Sequence, residues 1–81
     1  MNRDTIVRTT NGVTMVYEYS SIGKLQSITP YVNDAIHGIQ FFYDLRGWRI
    51  KEVEWVRGTI HTIRWYDEFG TLIPGMCRGG Q

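Results

Sequence analysis

Two histidines and one cysteine are the residues of this 81-residue chain that are best suited to bind a metal ion. His37 and His61 are 24 positions apart, and Cys77 lies near the C-terminus. Structural zinc sites are usually built from closely spaced ligand pairs such as Cys-x-x-Cys or His-x-x-x-His, and neither pattern occurs here. We therefore predict no metal and no cofactor. We interpret Cys77 as incidental and expect structural histidines that form hydrogen bonds at hairpin bases, for example with Glu54.

Serines and acidic residues give equally little support for catalysis. Nucleophilic catalysis requires Ser or Cys beside a positioned base and an oxyanion donor, but the serines lie in turns or at Ser27, without a nucleophile-elbow motif. Glu52 and Glu54 share one face of a predicted strand, as a pair of catalytic carboxylates would. Pairs of this kind are more often solvated partners of salt bridges. We therefore predict that the protein is not an enzyme.

Aromatic residues are concentrated in the second half of the chain. The length of the chain predicts only one small domain. A single sheet has no second layer to cover both of its faces, so some of these rings are expected to be exposed. Aromatic residues together with arginine are the commonest anchors of protein interfaces. The predicted partner-binding patch consists of Trp48, Arg49, Lys51, Trp55, Arg64 and Trp65.

The membership of this patch depends on the strand register around the turn that precedes Trp48. A three-residue loop places Tyr43 opposite Arg49. The same register places Phe41 opposite Lys51, which gives a face of aromatic rings and cations. A four-residue loop would instead place Tyr43 opposite Trp48. Because neighbouring residues of a strand point to opposite faces, a shift of one residue exchanges the two faces.

Charge and hydropathy favour some classes of function over others. Nine Lys and Arg residues oppose eight Asp and Glu residues, so the net charge is +1. A sequence-independent nucleic-acid binder usually carries a basic stripe, whereas here the cations are interleaved with carboxylates. The apolar stretches are too short to span a membrane, and no apolar segment follows the first residues as a secretion signal would. We expect a cytoplasmic protein.

Glycine-centred turns recur at intervals of about 11 to 13 residues, which is typical of a β-meander. Two kinds of turn alternate. The short turns suit two-residue hairpin loops; they are Asn11-Gly12, Asn33-Asp34 and Arg57-Gly58. Each long turn follows a tyrosine and ends in a glycine, which is expected to take the positive φ of a type I turn closed by a bulge. The long turns are Ser20-Ser21-Ile22-Gly23, Asp44-Leu45-Arg46-Gly47 and Asp67-Glu68-Phe69-Gly70.

The segments between the turns predict strands. They lie near Thr5 to Thr9, Val13 to Tyr19, Lys24 to Val32, Ile36 to Tyr43, Trp48 to Val56, Thr59 to Tyr66 and Thr71 to Ile73. Pro30 cannot donate a ladder hydrogen bond, so the third strand is expected to be at an edge, bulged or frayed. The predicted fold is a single all-β domain over residues 1–81, an antiparallel β-meander of about three repeated hairpins with six to seven short strands and no substantial helix. The predicted repeats are 11–32, 33–56 and 57–73, followed by a flexible tail at 74–81.

Two stretches of the chain resemble the bacterial variant of the MORN repeat. In that pattern a tyrosine, an Asn-Gly turn, a His-Gly pair and an aromatic strand ending in tyrosine follow one another. The matching stretches are Tyr31 to Gly47 and Trp55 to Leu72, with a weaker copy from Asn11, so the resemblance covers about residues 11–73. The second copy has Asp34-Ala35 in place of the first glycine, and the third has Thr62 after its histidine.

The MORN resemblance implies hairpins stacked into an elongated sheet and a role without catalysis. The family is associated with scaffolding, protein contacts and sometimes membranes, and some bacterial members are labelled antitoxin components. The function predicted here is a non-enzymatic protein-binding module that docks by an aromatic sheet face or an open sheet edge. Because the chain begins with methionine and has no linker, we expect a small stand-alone inhibitor or antitoxin-like protein. A phage-type inhibitor of a host defence system would have this size.

Two further expectations concern partners. The alternative function is binding of single-stranded nucleic acid, in which exposed rings stack bases beside Arg49, Lys51 and Arg64. The near-neutral charge makes this alternative the less favoured one. An 81-residue sheet with two edges and apolar residues on both faces is short of buried surface, so a homodimer through edge pairing or face packing is also expected.

Overall fold

The computed structural model describes residues 4–74 and 78–79 of the chain, and these form one antiparallel sheet. The eight strands are β1 (Thr5–Thr10), β2 (Val13–Tyr19), β3 (Leu25–Val32), β4 (Ala35–Ile36), β5 (Gly38–Tyr43), β6 (Arg49–Val56), β7 (Thr59–Trp65) and β8 (Arg78–Gly79). They are ordered β1-β2-β3-β5-β6-β7-β8, and β4 pairs with β3 beside β5. No α-helix occurs in these residues. The predicted all-β meander is therefore confirmed.

The short turns are two-residue loops in which both central residues have positive φ. The φ angles are 53° and 82° at Asn11 and Gly12, and 48° and 85° at Arg57 and Gly58. This combination is characteristic of the type I′ turn, whose twist matches that of the flanking strands. The second short turn, Asn33-Asp34, has the same conformation although it contains no glycine, with φ of 52° and 67°.

The three long turns also share one structure. In each, the closing glycine has positive φ and donates its N–H to the carbonyl of the first turn residue, for example Gly47 to Asp44 at 3.0 Å and Gly70 to Asp67 at 3.0 Å. The carboxylate of Asp44 accepts the backbone N–H groups of Arg46 and Trp48 at 2.9 and 3.1 Å. These bonds satisfy backbone donors that the tight loop leaves without a ladder partner.

The tyrosine before each long turn occupies an equivalent place in the sheet. Tyr19 lies opposite Leu25, Tyr43 opposite Arg49, and Tyr66 opposite Leu72. The last of these pairs is an isolated bridge, so the strand predicted at Thr71 to Ile73 is reduced to a single bridge. The repeated hairpin that the sequence predicts is thus visible in the positions of its tyrosines.

A bulge beyond the second long turn sets the register of β5 against β6. Tyr43 lies opposite Arg49, as the three-residue loop requires, but the register then shifts and Phe42 lies opposite Lys51. The expected pairing of Phe41 with Lys51 is therefore wrong, because Ile50 is an extra residue in β6. The shift places neighbouring cations of one strand on opposite faces of the sheet.

Pro30 interrupts the pairing of β3 while the strand remains inside the sheet. On this side β3 pairs first with β4, through Tyr31 and Val32, and then with β5 through Ser27 and Ile28. Between these stretches the N–H of His37 reaches the carbonyl of Pro30 at 3.1 Å. Residues 37–40 lie opposite only two residues of β3, so the irregularity that the sequence predicts in the third strand falls in its neighbour.

The sheet is a single layer with a very small core. Among the described residues only Val53 and Pro30 are buried apolar residues, together with the polar Ser27, Thr29 and Glu52. The radius of gyration is 13.4 Å, whereas a compact chain of this length has about 12 Å. Most apolar side chains are consequently half-exposed on one face or the other.

The two outer strands of the sheet differ. The outer side of β7 is covered in part by β8, which pairs with Thr62 and Ile63. Residues 78–79 thus form a short strand within the segment 74–81 for which the sequence predicts a flexible tail, and Cys77 lies outside the described residues. The outer side of β1 has no neighbour among residues 4–74 and 78–79.

Candidate protein-binding surface

One face of the sheet, here called the tryptophan face, collects two of the three tryptophans. It carries Gln40, Phe42, Lys51, Val53, Trp55, Ile63 and Trp65, which the strand register places on the same side. Phe42, Lys51 and Trp65 form a row across β5, β6 and β7. The Lys51 ammonium lies 5.1 Å from the Phe42 ring centre and 4.7 Å from that of Trp65, distances at which a cation is attracted to an aromatic ring.

A chain of side-chain hydrogen bonds fixes the second tryptophan on this face. The indole N–H of Trp55 donates to Oε1 of Gln40 at 2.8 Å, and Nε2 of Gln40 donates to Oγ1 of Thr29 at 2.9 Å. Val53 lies between Lys51 and Trp55 on this face of β6 and is only 3% exposed. Trp55 is therefore held in place by hydrogen bonds, and the rings of this face are half-buried.

The opposite side, here called the glutamate face, is organised around Glu52. Its carboxylate, in a residue that is only 7% exposed, accepts hydrogen bonds from Arg49 at 2.6 Å, Arg64 at 3.1 Å and the Tyr66 hydroxyl at 3.1 Å. The Arg49 guanidinium also lies 5.1 Å from the ring centre of Phe41. The buried carboxylate is thus fully paired, as a buried charge must be.

The charges of this cluster reinforce one another. Burial raises the pKa of Glu52, but the hydrogen bonds from Arg49, Arg64 and Tyr66 together lower it by more than burial raises it. The pKa of Glu52 therefore lies below its ordinary value of 4.5. The hydrogen bond to Glu52 likewise raises the pKa of Arg64 above its ordinary range. All three charges therefore persist near neutral pH, and the attraction between Glu52 and Arg64 holds β6 to β7.

The six residues predicted as one patch are divided among three places. Lys51, Trp55 and Trp65 lie together on the tryptophan face. Arg49 and Arg64 lie on the glutamate face, where both bind Glu52. Trp48 lies at the end of the long turn, where its ring stacks on the Arg46 guanidinium at 4.0 Å. The structure therefore brings three of the six together and separates the other three from them.

The sequence prediction did not include the most exposed aromatic residue. Phe69 is 83% exposed and occupies the third position of the last long turn. Together with Trp48 and Tyr66 it lines an open groove of about 450 Å³ between the two aspartate turns. Apolar side chains are also exposed in the other long turns, at Ile22 and Leu45. The signal was present in the sequence, because a central turn residue has no sheet surface to pack on.

His37 binds the backbone of a neighbouring turn. Nδ1 of His37 accepts the backbone N–H of Arg57 at 3.1 Å, and the carbonyl of Ile36 accepts the N–H of Gly58 at 2.8 Å. The expected partner of a histidine was Glu54, so this assignment is corrected: His37 binds the third short turn. Among residues 4–74 and 78–79, no group of three His, Cys, Asp or Glu side chains is placed to hold a metal ion.

Within the part of the chain that the structure describes, no helix is long and apolar enough to cross a membrane.

No model of a known protein family matches the sequence, and a search of curated proteins gives no match. Two solved structures contain a similar sheet. The crystal structure of TarM matches with a TM-score of 0.67 at 10% identity, over 84% of this chain and 14% of that chain. The crystal structure of accessory secretory protein 1, 2 and 3 in Streptococcus pneumoniae matches with a TM-score of 0.58 at 16% identity, over 89% of this chain and 16% of that chain. The chain thus spans less than a fifth of the length of either structure, and at these identities the likeness concerns the fold alone.

Proposed function

We propose that the protein is a non-enzymatic protein-binding module, a small inhibitor or antitoxin-like protein that docks on another protein through its tryptophan face. A phage-type inhibitor of a host defence system is one form that such a protein takes. A cytoplasmic location belongs to the same proposal. The resemblance of residues 11–73 to MORN repeats agrees with a role in protein contacts.

The observation that carries this proposal is the half-exposed state of rigidly held rings on a sheet without a second layer. Trp55 is fixed through Gln40, and the Lys51 ammonium lies over the Trp65 ring. Rigid aromatic side chains beside a cation lose little conformational entropy on binding, and they are enriched among the residues that dominate interface energies. The tryptophan face therefore has the composition of an interface centre.

The contacts of the cations disfavour binding of single-stranded nucleic acid, the second candidate function. Arg49 and Arg64 are both bound to Glu52, so a phosphate would have to compete with a buried carboxylate. Lys51 already contacts the rings of Phe42 and Trp65, so a phosphate would have to draw it away from both. A docking protein, in contrast, can cover the row of Phe42, Lys51 and Trp65 as it stands.

The test is a binding titration against the products of the genes adjacent to the one that encodes this chain. Trp65→Ala is expected to weaken capture by at least about 2 kcal/mol, roughly 30-fold, as truncation of an interface hot spot does. Trp48→Ala is the matched control, because it removes the same side chain from the turn instead of the face. Circular dichroism and urea unfolding must first show that both variants are folded, since truncation of a core aromatic would also abolish binding.

A parallel titration with labelled single-stranded DNA and RNA at two salt concentrations addresses the second candidate. The proposal would be overturned by two results together: the logarithm of the affinity for the oligonucleotide falls linearly with the logarithm of the salt concentration, and no protein is captured. If Trp48→Ala lowers protein binding and Trp65→Ala does not, the partner docks at the turns, and the assignment of the tryptophan face is wrong.

A further inference from the structure

The free edge of β1 has a defined set of unpaired backbone groups. Thr10 and Val13 flank the two-residue type I′ turn and are Cα partners, which makes them a hydrogen-bonded pair of the ladder. Hydrogen-bonded and non-hydrogen-bonded residue pairs alternate along an antiparallel ladder. At the far end of β1, the Tyr19 N–H donates to the carbonyl of Asp4 at 2.7 Å, so the even-numbered Asp4 is bonded to the neighbouring strand as Thr10 is. The even-numbered residues of β1 therefore bond to β2. The N–H and C=O groups of Thr5, Val7 and Thr9 point outward.

We propose that a second copy of this chain pairs antiparallel on that edge, with Val7 of one copy opposite Val7 of the other. A two-fold axis perpendicular to the sheet keeps each face continuous, and outward-pointing residues must then face each other. With Val7 at the centre, Thr5 of each copy lies opposite Thr9 of the other. All six outward backbone groups of each β1 become paired, which gives six hydrogen bonds between the copies.

The side chains of β1 favour this register over its neighbours. Ile6 lies opposite Arg8 on one face, and Val7 lies opposite Val7 on the other, where it is 60% exposed in the single chain. A shift of the axis to Arg8 would place two arginines directly opposite each other, which is unfavourable. A shift to Ile6 leaves the outward groups of Thr9 without partners in β1. The central register thus pairs the most backbone groups without opposing like charges.

The rest of the molecule supports a closed dimer and not a fibre. The opposite outer strand, β7, is already covered in part by β8, so one edge of each copy is fully open and the other is partly occupied. The single chain exposes 5786 Å², whereas a monomer of this mass normally exposes about 5,000 Å². Pairing at β1 lowers this excess of exposed surface and extends both faces of the sheet across the two-fold axis. It does not depend on a partner at the tryptophan face.

Charged substitutions at Val7 test this register. The wild-type chain is expected to sediment at tens of micromolar with twice its 9.5 kDa mass. Val7→Lys and Val7→Glu should each be monomeric, since like charges then meet at the axis. An equimolar mixture of the two should regain the dimer, because only the central register brings position 7 of one copy opposite position 7 of the other. Val56→Lys is the control, an exposed valine of an inner strand whose change leaves the dimer intact.

Three results would contradict the proposal: a monomeric wild-type chain at hundreds of micromolar, a Val7→Lys variant that is still dimeric, and variants that remain monomeric when mixed. Circular dichroism distinguishes loss of pairing from loss of folding. The mixing experiment is also informative if single variants lose stability, because pairing of the two variants restores it only in this register.

Discussion

At the scale of single residues, Glu52 joins two strands through charge. Glu52→Gln keeps the shape of the side chain but removes the anion that Arg49, Arg64 and Tyr66 share. We expect it to lower the free energy of unfolding by about 1 to 3 kcal/mol, because a buried charged network loses one partner. Urea unfolding at pH 7 measures this loss. Glu54→Gln on the same face is the control, since Glu54 has no ion pair among the described residues.

The pH dependence of stability follows from the same carboxylate. The pKa of Glu52 is lower in the folded chain than in the unfolded chain, so the unfolded state binds the proton more tightly. The contribution of the ionised Glu52 to the free energy of unfolding is therefore fully present above pH 4.5. It is lost as pH falls through the folded pKa. Glu52→Gln should therefore have a flatter stability profile than the wild type as the pH falls below 4.5. Equal slopes for both proteins would show that Glu52 is not the titrating group.

Arg57 is a residue whose replacement should stabilise the fold. Its φ of 48° lies in the left-handed region, which costs most non-glycine residues about 1 kcal/mol, and asparagine less. Arg57→Asn should raise the free energy of unfolding by about 0.5 kcal/mol, since the contact to His37 uses only the backbone N–H. Thermal unfolding provides the measurement. A destabilised variant would show that the arginine side chain itself stabilises this turn.

At the scale of elements, the long turns depend on their glycines. Gly47 has a φ of +93° and Gly70 of +81°, and a Cβ at either position would meet nothing within 4 Å. The cost of Gly47→Val or Gly70→Val is therefore purely conformational, about 1 kcal/mol or more. Gly47→Asn should cost less, because asparagine tolerates positive φ. Urea unfolding that shows both valine variants unchanged would contradict this account of the turns.

The turns could be predicted from sequence because their determinants are local. Asp44 and Gly47 provide the acceptor and the positive φ within four residues, and the same spacing recurs at Asp67. The bulge at Ile50 has no such signal, because it depends on how β6 meets both of its neighbours. That bulge decides the face on which Arg49 lies. Local sequence patterns consequently predict the fold class and three of the six patch residues. They do not predict on which face the other three residues lie.

At the scale of the whole molecule, the single-layer sheet accounts for the source of stability and for the proposed mode of binding. A sheet with so few buried residues obtains its stability from turns, ladder hydrogen bonds and cross-strand pairs such as Lys51 with Trp65. The side chains that stabilise it are the same ones that form the proposed interface. Variants of the tryptophan face should therefore change folding and binding together, which is why each binding measurement needs its own folding control.

Amide hydrogen exchange can detect the proposed dimer without any substitution. In a single chain the N–H groups of Ile6, Arg8 and Thr10 are bonded to β2, whereas those of Thr5, Val7 and Thr9 face solvent. At low concentration, protection in β1 should alternate residue by residue. At concentrations where the dimer forms, the odd-numbered amides should become protected while β2 changes little, since exchange requires the pairing to open. Protection of β1 that is the same at all concentrations would contradict pairing at this edge. Face packing, in contrast, would protect amides of the central strands and leave the alternation in β1 unchanged.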